Sequence, residues 1–266
     1  MARSALLNVM VQAVTRAGRT LSRDFGEVEN LQVSVKGPGE FVSAADTKAE
    51  ETLVNELRKA RPGYAFITEE TGHITGKDGS HRWIIDPLDG TTNFLHGIPI
   101  FAISVALERD GEIIAGVVFN PVSNELFVAE RGQGAFFNDR RIRVAGRKEL
   151  TDAVIATGIP HRGRSNHAEF AAELPYLMAR VAGIRRCGAA AIDLAWLAAG
   201  RFDGFWERGL ESWDMAAGLL LIEEAGGIVT DIDGGRTMLT AGSVVAGNPA
   251  IHPNLLKALR DARSGG

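Results

Sequence analysis

The chain has 266 residues, 45% hydrophobic and 23% charged, with 29 basic against 33 acidic side chains and a net charge of −4. That composition fits a folded globular protein of one large α/β domain or two small ones, and its mild acidity gives no support to a broad nucleic-acid surface. Cys187 is the only cysteine, which excludes an intrachain disulfide and suits the cytoplasm. The absence of an apolar leader and of any run near about 18 apolar residues predicts neither a signal peptide nor a membrane span.

Leu6, Leu7, Met10, Val11, Val14 and Leu21 share one helical stripe, predicting a first helix over residues 4–22. Residues 26–40, rich in glycine and charge and including Lys36, read as a loop. A second helix is predicted from Ser43 to just before Pro62, with Ser43 and Asp46 as a variant capping box. Residues 64–67 read as a strand that delivers Glu69 and Glu70, and 72–80 as a polar loop. Residues 83–85 form an apolar strand expected to stop at Asp86, since Pro87 cannot donate to a ladder. Residues 100–108 and 112–120 read as a hairpin about Asp110-Gly111, followed by strands at 125–129 and 135–137. Arg140, Arg141, Arg143, Arg147 and Lys148 read as a solvated face. The second half alternates: strand 154–157, helix 165–181, helix 189–199, strand 202–207, helix 212–225, strands 228–230 and 244–246, helix 253–262. Antiparallel strands followed by alternating elements predict two sheets with helices between and outside them.

The stretch around residues 83–99, W-I-I-D-P-L-D-G-T-T-N-F-L-H-G-I-P, carries the chemistry. Asp86 and Asp89 at a strand end repel each other unless a hard cation such as Mg2+ neutralises them. Gly90 allows close backbone approach, and amides beyond it could face an anion if Thr91 begins a helix. The alternative is an Asx-rich turn with Thr91 as a helix cap. Asp214, two residues after a predicted Ser212 cap, could likewise only favour the positive end of its helix. The six histidines form no constellation with ligand spacing.

This stretch resembles the signature of the inositol monophosphatase family, Mg2+-dependent and lithium-sensitive phosphatases, which reads W-I-[IV]-D-P-[IL]-D-G-T-x-N-F. The glutamate pair Glu69-Glu70 and the later signatures W-D-M-A-A-G and E-A-G-G complete the match across roughly residues 5 to 260. The resemblance implies a layered αβαβα sandwich. It implies one catalytic unit over residues 1–266, with an antiparallel sheet in 1–145 and alternating elements in 150–266. Asp86 would bridge two metal ions, the first shared with Glu69 and the Leu88 carbonyl, the second with Asp89 and Asp214. A third, weaker ion would lean on Glu69 through waters, and Mn2+ could replace Mg2+. Thr91 would hydrogen-bond the attacking water with Asp46 behind it. Asp89, Gly90, Thr91, Thr92, Ala190 and Glu207 would contact substrate, Glu70 would stand behind the ligands, and Lys36 would either approach the metals or be a mobile surface lysine. A small phosphomonoester substrate, a homodimer and a cytoplasmic location follow from the same resemblance. Left open are inositol 1-phosphate, fructose 1,6-bisphosphate, 3′-phosphoadenosine phosphate and histidinol phosphate as substrates, and a non-catalytic regulatory protein on the same fold. A haloacid-dehalogenase-type phosphatase uses D-x-D-G-T, one residue shorter than the spacing here.

Overall fold

The computed structural model describes residues 3–27, 33–37, 40–163 and 165–264, with backbone only for 33–37 and 40–42. Helix α1 (Ala5–Phe25) is capped by Ser4, whose hydroxyl accepts from the Leu7 N–H at 3.1 Å. Strand β1 (Val33–Gly37) stands within the stretch expected to be a loop and pairs antiparallel with β2 (Glu40–Ser43), which begins at its end. Lys36 falls on β1, and its side chain lies outside the described residues. Helix α2 (Ala44–Ala60) begins at Ser43 as expected.

Strands β3 (Ala65–Thr68), β4 (Gly72–Ile74) and β5 (His81–Asp89), helix α3 (Thr91–Leu95), and strands β6 (Ala102–Arg109), β7 (Glu112–Asn120), β8 (Glu125–Glu130), β9 (Gly134–Phe137) and β10 (Arg140–Arg141) follow. Their eight-stranded sheet runs β10-β9-β8-β7-β6-β5-β3-β4. It is antiparallel except at β3–β5, a parallel pair that the expectation of a purely antiparallel sheet did not include. Strand β4 occupies part of the expected 72–80 loop.

Next come β11 (Val154–Thr157), α4 (His167–Met178), β12 (Gly183–Arg185), α5 (Ala190–Ala198), β13 (Gly204–Arg208), α6 (Ser212–Glu224), β14 (Ile228–Thr230), α7 (Met238–Ala241), β15 (Ser243–Gly247) and α8 (Ile251–Arg263). The second sheet, β12-β11-β13-β15-β14, is mixed.

Alternation along the strands of the first sheet sorts its side chains between two cores. Trp83, Ile85, Ile103, Val105 and Leu107 pack with Leu7, Met10, Val14 and Leu21 of α1 and Leu53 and Leu57 of α2. Each such side chain, fully buried, contributes about 1.5–3 kcal/mol. On the other face Ile84, Ala102, Ala106 and Phe127 meet α5 and α6, which also touch Phe205, Val244 and Ala246 of the second sheet. Helices α4 and α8 cover the outer face of that sheet through Phe170, Leu177, Leu255 and Leu259. The layers are therefore α1/α2, eight strands, α5/α6, five strands, α4/α8, the αβαβα order that the resemblance implies.

The small residues after Asp214 explain the tightness of the middle layer. A Cβ on Gly116 would stand 3.0 Å from Ala217 Cα, and one on Gly218 2.6 Å from Leu194 Cβ. At the far end of α6, Glu224 accepts from the Gly132 and Gly134 N–H groups at 2.8 and 2.7 Å, fastening the helix to the β8–β9 turn.

Candidate active site

Strand β5 does not stop at Asp86, as the proline suggested. It continues to Asp89 through an irregularity in which Asp86 faces Ser104 and Asp89 faces Ala102 on β6. Three steps on β5 match two on β6, the signature of a bulge with one extra residue. On a regular strand, residues three apart point to opposite faces. The extra residue restores them to one face, the face that meets α5 and α6. Pro87 sits where the ladder is broken, the position in a sheet that tolerates it.

The bulge also releases the Leu88 peptide from the ladder. Its N–H donates to Asp86 Oδ1 at 2.9 Å, and its carbonyl accepts from Thr91 Oγ1 at 3.1 Å. Gly90, at φ 95°, turns the chain into α3 in the left-handed region, and a Cβ there would stand 3.1 Å from both Ala189 Cβ and the Ile100 carbonyl. Of the two readings left open, Thr91 begins a helix, a short one, and Gly90 stands at its cap. Asn93 joins this turn to the α5 approach by donating to the Ile100 and Cys187 carbonyls at 2.7 and 2.8 Å.

Helix α2 supplies two buried carboxylates from one face, Asp46 and Glu50, one turn apart. Asp46 Oδ2 accepts from the Ser43 N–H at 2.8 Å, completing the capping box, while Oδ1 accepts from Thr91 Oγ1 at 3.0 Å. One carboxylate therefore caps its helix and holds the threonine. Burial raises its pKa, against the opposing pull of the Ser43 and Thr91 hydrogen bonds. Glu50 accepts from the Glu70 and Thr71 N–H groups at 2.8 and 2.9 Å, which fixes the turn carrying Glu69.

Asp214 arrives from the opposite sheet's side. Ser104 Oγ donates to the Trp213 carbonyl at 3.1 Å, setting the first turn of α6 beside Asp86. The helix is capped by Glu211 and not by Ser212, and the Glu211 N–H donates to Asp214 Oδ2 at 2.8 Å. Asp89 Oδ2 accepts from the Ala191 N–H at 2.7 Å, so the first turn of α5 orients this carboxylate.

Glu69, Asp86, the Leu88 residue, Asp89, Gly90, Thr91, Thr92, Ala190, Glu207 and Asp214 all line one cleft of about 200 Å3. Asp46 lies behind it through Thr91. Asp86 is 2% exposed. Its pKa is driven well up by desolvation and then by Glu69, Asp89 and Asp214; that of Asp89 rises through desolvation and then Asp214. Among the described residues no three His, Cys, Asp or Glu side chains close into a ready cage for a metal ion. The four carboxylates instead face one space and repel one another across it.

The cleft has a far wall that motif reading did not supply: Gly158, Ile159, His161, Arg186, Asp193 and Leu210. Gly158 has a plain reason to be glycine, because a Cβ there would lie 1.7 Å from Glu207 Oε1. Asp193 is buried one turn into α5, its pKa pushed up to about 7 by desolvation, and its Oδ1 has no hydrogen-bond partner. Of the basic run, Arg147 pairs with buried Asp203 at 3.2 Å and Arg141 lies over the Phe136 ring at 5.9 Å. No helix among the described residues is long and apolar enough to cross a membrane.

Comparison with known proteins gives one consistent pattern. Residues 2–264 match the model of the inositol monophosphatase family. The chain is 66% identical to the inositol-1-monophosphatase of Mesorhizobium japonicum over 260 residues, 98% of each chain. It is 44% identical to the protein named Nus factor SuhB of Pseudomonas aeruginosa, over 96% of each. The crystal structure of extragenic suppressor protein SuhB from Bartonella henselae superposes with a TM-score of 0.95 at 59% identity, covering 97% of this chain and 99% of that one.

Proposed function

The chain belongs to the inositol monophosphatase family, and on that footing we propose that it is a Mg2+-dependent phosphomonoesterase that releases phosphate from inositol 1-phosphate or a closely similar polyol phosphate by direct attack of water. The observation that carries this reading is the set of four carboxylates, Glu69, Asp86, Asp89 and Asp214, lining one cleft with a Thr91–Asp46 pair at its wall.

The donor set suits a hard divalent cation. Carboxylate oxygens and the Leu88 carbonyl favour Mg2+, with Mn2+ as a substitute. Glu69, Asp86, Asp89, Asp214 and Leu88 would hold it; burial first, and then repulsion from neighbouring carboxylates, raises the Asp86 and Asp89 pKa values, and a bound cation would offset both. When bound, Mg2+ supplies Lewis-acid chemistry: it neutralises phosphate charge, eases deprotonation of water and stabilises a departing alkoxide.

The remaining steps belong to the chain. Thr91 Oγ1 has one proton and two acceptors for it, Asp46 Oδ1 and the Leu88 carbonyl. With that proton engaged, its lone pairs are directed to accept from a water and aim it. Asp46 cannot swing away without uncapping α2. Gly90, Thr91 and Thr92 offer the phosphate a wall without bulky side chains. Glu207 and Ala190 bound the part of the cleft where the alcohol would sit, and Glu207 can accept from its hydroxyls.

A non-catalytic regulatory protein on this fold is the alternative, and several relatives at 40–44% identity carry a name of a different kind, Nus factor SuhB. The complete carboxylate set favours the enzyme. Phosphate release from inositol 1-phosphate, fructose 1,6-bisphosphate, 3′-phosphoadenosine phosphate and histidinol phosphate, each with and without Mg2+, tests the reading. Mg2+-dependent release, fastest with inositol 1-phosphate and with oxygen from labelled water entering phosphate in one turnover, is expected. Full activity after chelation, or a trapped phospho-Asp86 or phospho-Asp89, would overturn it.

A further inference from the structure

Strand β13 alternates, with Trp206 and Arg208 turned toward α4 and Glu207 between them turned into the cleft. Both outward residues meet a single carboxylate. Glu173 of α4, 0% exposed, accepts from Trp206 Nε1 at 3.2 Å and from Arg208 Nη1 at 2.6 Å, and Arg208 Nη2 bonds its other oxygen. Arg263 of α8 brings a second guanidinium to 4.0 Å. The Trp206 ring stacks on Phe170, one turn before Glu173 on α4, with centroids 6.2 Å apart. On the backbone side, Thr157 Oγ1 donates to the Trp206 carbonyl at 2.7 Å.

The carboxylate of the residue between these anchors occupies the space that a side chain at position 158 would fill, so the Gly158 backbone bounds it on that side. A two-pronged guanidinium–carboxylate bond fixes direction as well as distance. An apolar pair would fill the same volume without desolvating two charges, so stability alone is a weak reason for this arrangement. Arg208 also begins the connection through Gly209 and Leu210 to α6, and Leu210 lines the cleft.

We propose that Glu173 is a positioning residue for the alcohol end of the cleft: from the outer helix layer it holds Trp206 and Arg208 and thereby aims Glu207 at the leaving-group hydroxyls. This inference rests on the proposed reading of Glu207 as the polyol contact. It assigns substrate preference to a side chain that never meets the substrate.

The test compares two phosphomonoesters, inositol 1-phosphate with a polyol leaving group and p-nitrophenyl phosphate without one. Glu173→Gln should raise KM for inositol 1-phosphate about tenfold, because small misplacements of a contact group cost this much or more. Its kcat, its Mg2+ requirement and its kinetics on p-nitrophenyl phosphate should stay near wild type. Glu207→Gln should raise KM for inositol 1-phosphate at least as much as Glu173→Gln, and the double variant should be no worse than Glu207→Gln alone, since both act through one contact. Arg208→Lys, which keeps the charge and loses the fork, should reproduce a smaller part of the split and serves if Glu173→Gln does not fold. Equal losses on both substrates, or additive losses in the double variant, would show a merely structural role. Unchanged kinetics in a folded variant would also overturn the inference. If wild type acts on p-nitrophenyl phosphate alone, the polyol contact itself is wrong; if it acts on neither, the phosphatase reading falls as well.

Discussion

The two walls of the cleft are built by different means. The wall from the eight-stranded sheet takes Asp86, Asp89, Gly90, Thr91 and Thr92 from one short run. It is oriented largely by backbone amides: Leu88 on Asp86, Ala191 on Asp89, Glu70 and Thr71 on Glu50. The wall from the five-stranded sheet draws on Gly158, His161, Arg186, Asp193 and Glu207, scattered along the chain, and is braced by side chains such as Glu173 and Arg208. Amide bracing survives most substitutions, whereas side-chain bracing can be retuned one residue at a time. Under the proposed function, the first wall would carry the phosphate chemistry and the second would set which alcohol is accepted.

The strongest way to break that division is Asp86→Asn, expected to lower turnover by about 10³-fold or more on every phosphomonoester, the scale of losing a principal electrostatic group. An equal loss on every substrate from Glu207→Gln would erase the distinction between the walls. Thr91→Ala should follow, with kcat down about 10²-fold and KM changed little, as for a group that orients the attacking water; steady-state rates separate the two parameters. Glu50→Gln sharpens the comparison from behind the first wall. It should raise the Mg2+ concentration for half-activation roughly tenfold, in line with losing support to a ligand, and calorimetric Mg2+ titration should show the same shift while Glu207→Gln shows none.

Lithium probes the carboxylates of the first wall together with Asp214, which faces them from α6, and does so more gently. Li+ is small and hard but carries half the charge, so it should inhibit where Na+ at equal ionic strength does not, and uncompetitively with substrate. Asp214→Asn should weaken Li+ inhibition and Mg2+ activation together; rates over a Li+ series in both proteins decide this. The smallest effect concerns Asp193 in the second wall. Its folded pKa, about 7, lies well above the ordinary 3.8 of an aspartate, so the stability tied to its neutral form is present below the lower value and lost as pH rises through the higher one. Asp193→Asn should therefore raise the melting temperature at pH 8 by a few degrees, and by less at pH 5, since about 1 kcal/mol shifts a chain of this size by about 2–4 °C. Scanning calorimetry at the two pH values reads the difference.

The same division explains what could be read from sequence. Asp86, Asp89 and Thr91 were legible because short-range spacing places them together, and Ser43 with Asp46 announced the start of α2. Glu50 was missed although it left a trace: it repeats Asp46 one turn later on a face otherwise filled by Ala45, Ala49 and Leu53. A buried acid on an apolar stripe needs a partner, but the partner here is a pair of amides twenty residues away in sequence. Ser104 and Glu173 gave no signal, since each is defined by a contact between elements distant along the chain; Asn93 stands in the family signature, but its reach to the Cys187 carbonyl could not be read from it. Pro87 misled in the other direction, because a local rule about ladder donors said nothing of a strand that resumes past an extra residue. The layer order came only with the family resemblance, since a middle layer buried on both sides shows no periodicity to read.

That extra residue has a consequence for inheritance. The Leu88 carbonyl, which the family resemblance offers as a metal ligand and which accepts from Thr91, belongs to the main chain. No codon change can delete it; replacing leucine alters the buried side chain and leaves the oxygen in place. Only an insertion or deletion that changes the path of β5 can withdraw it. The site therefore has one component shielded from point mutation, and its vulnerability lies in the count of residues between Asp86 and Asp89.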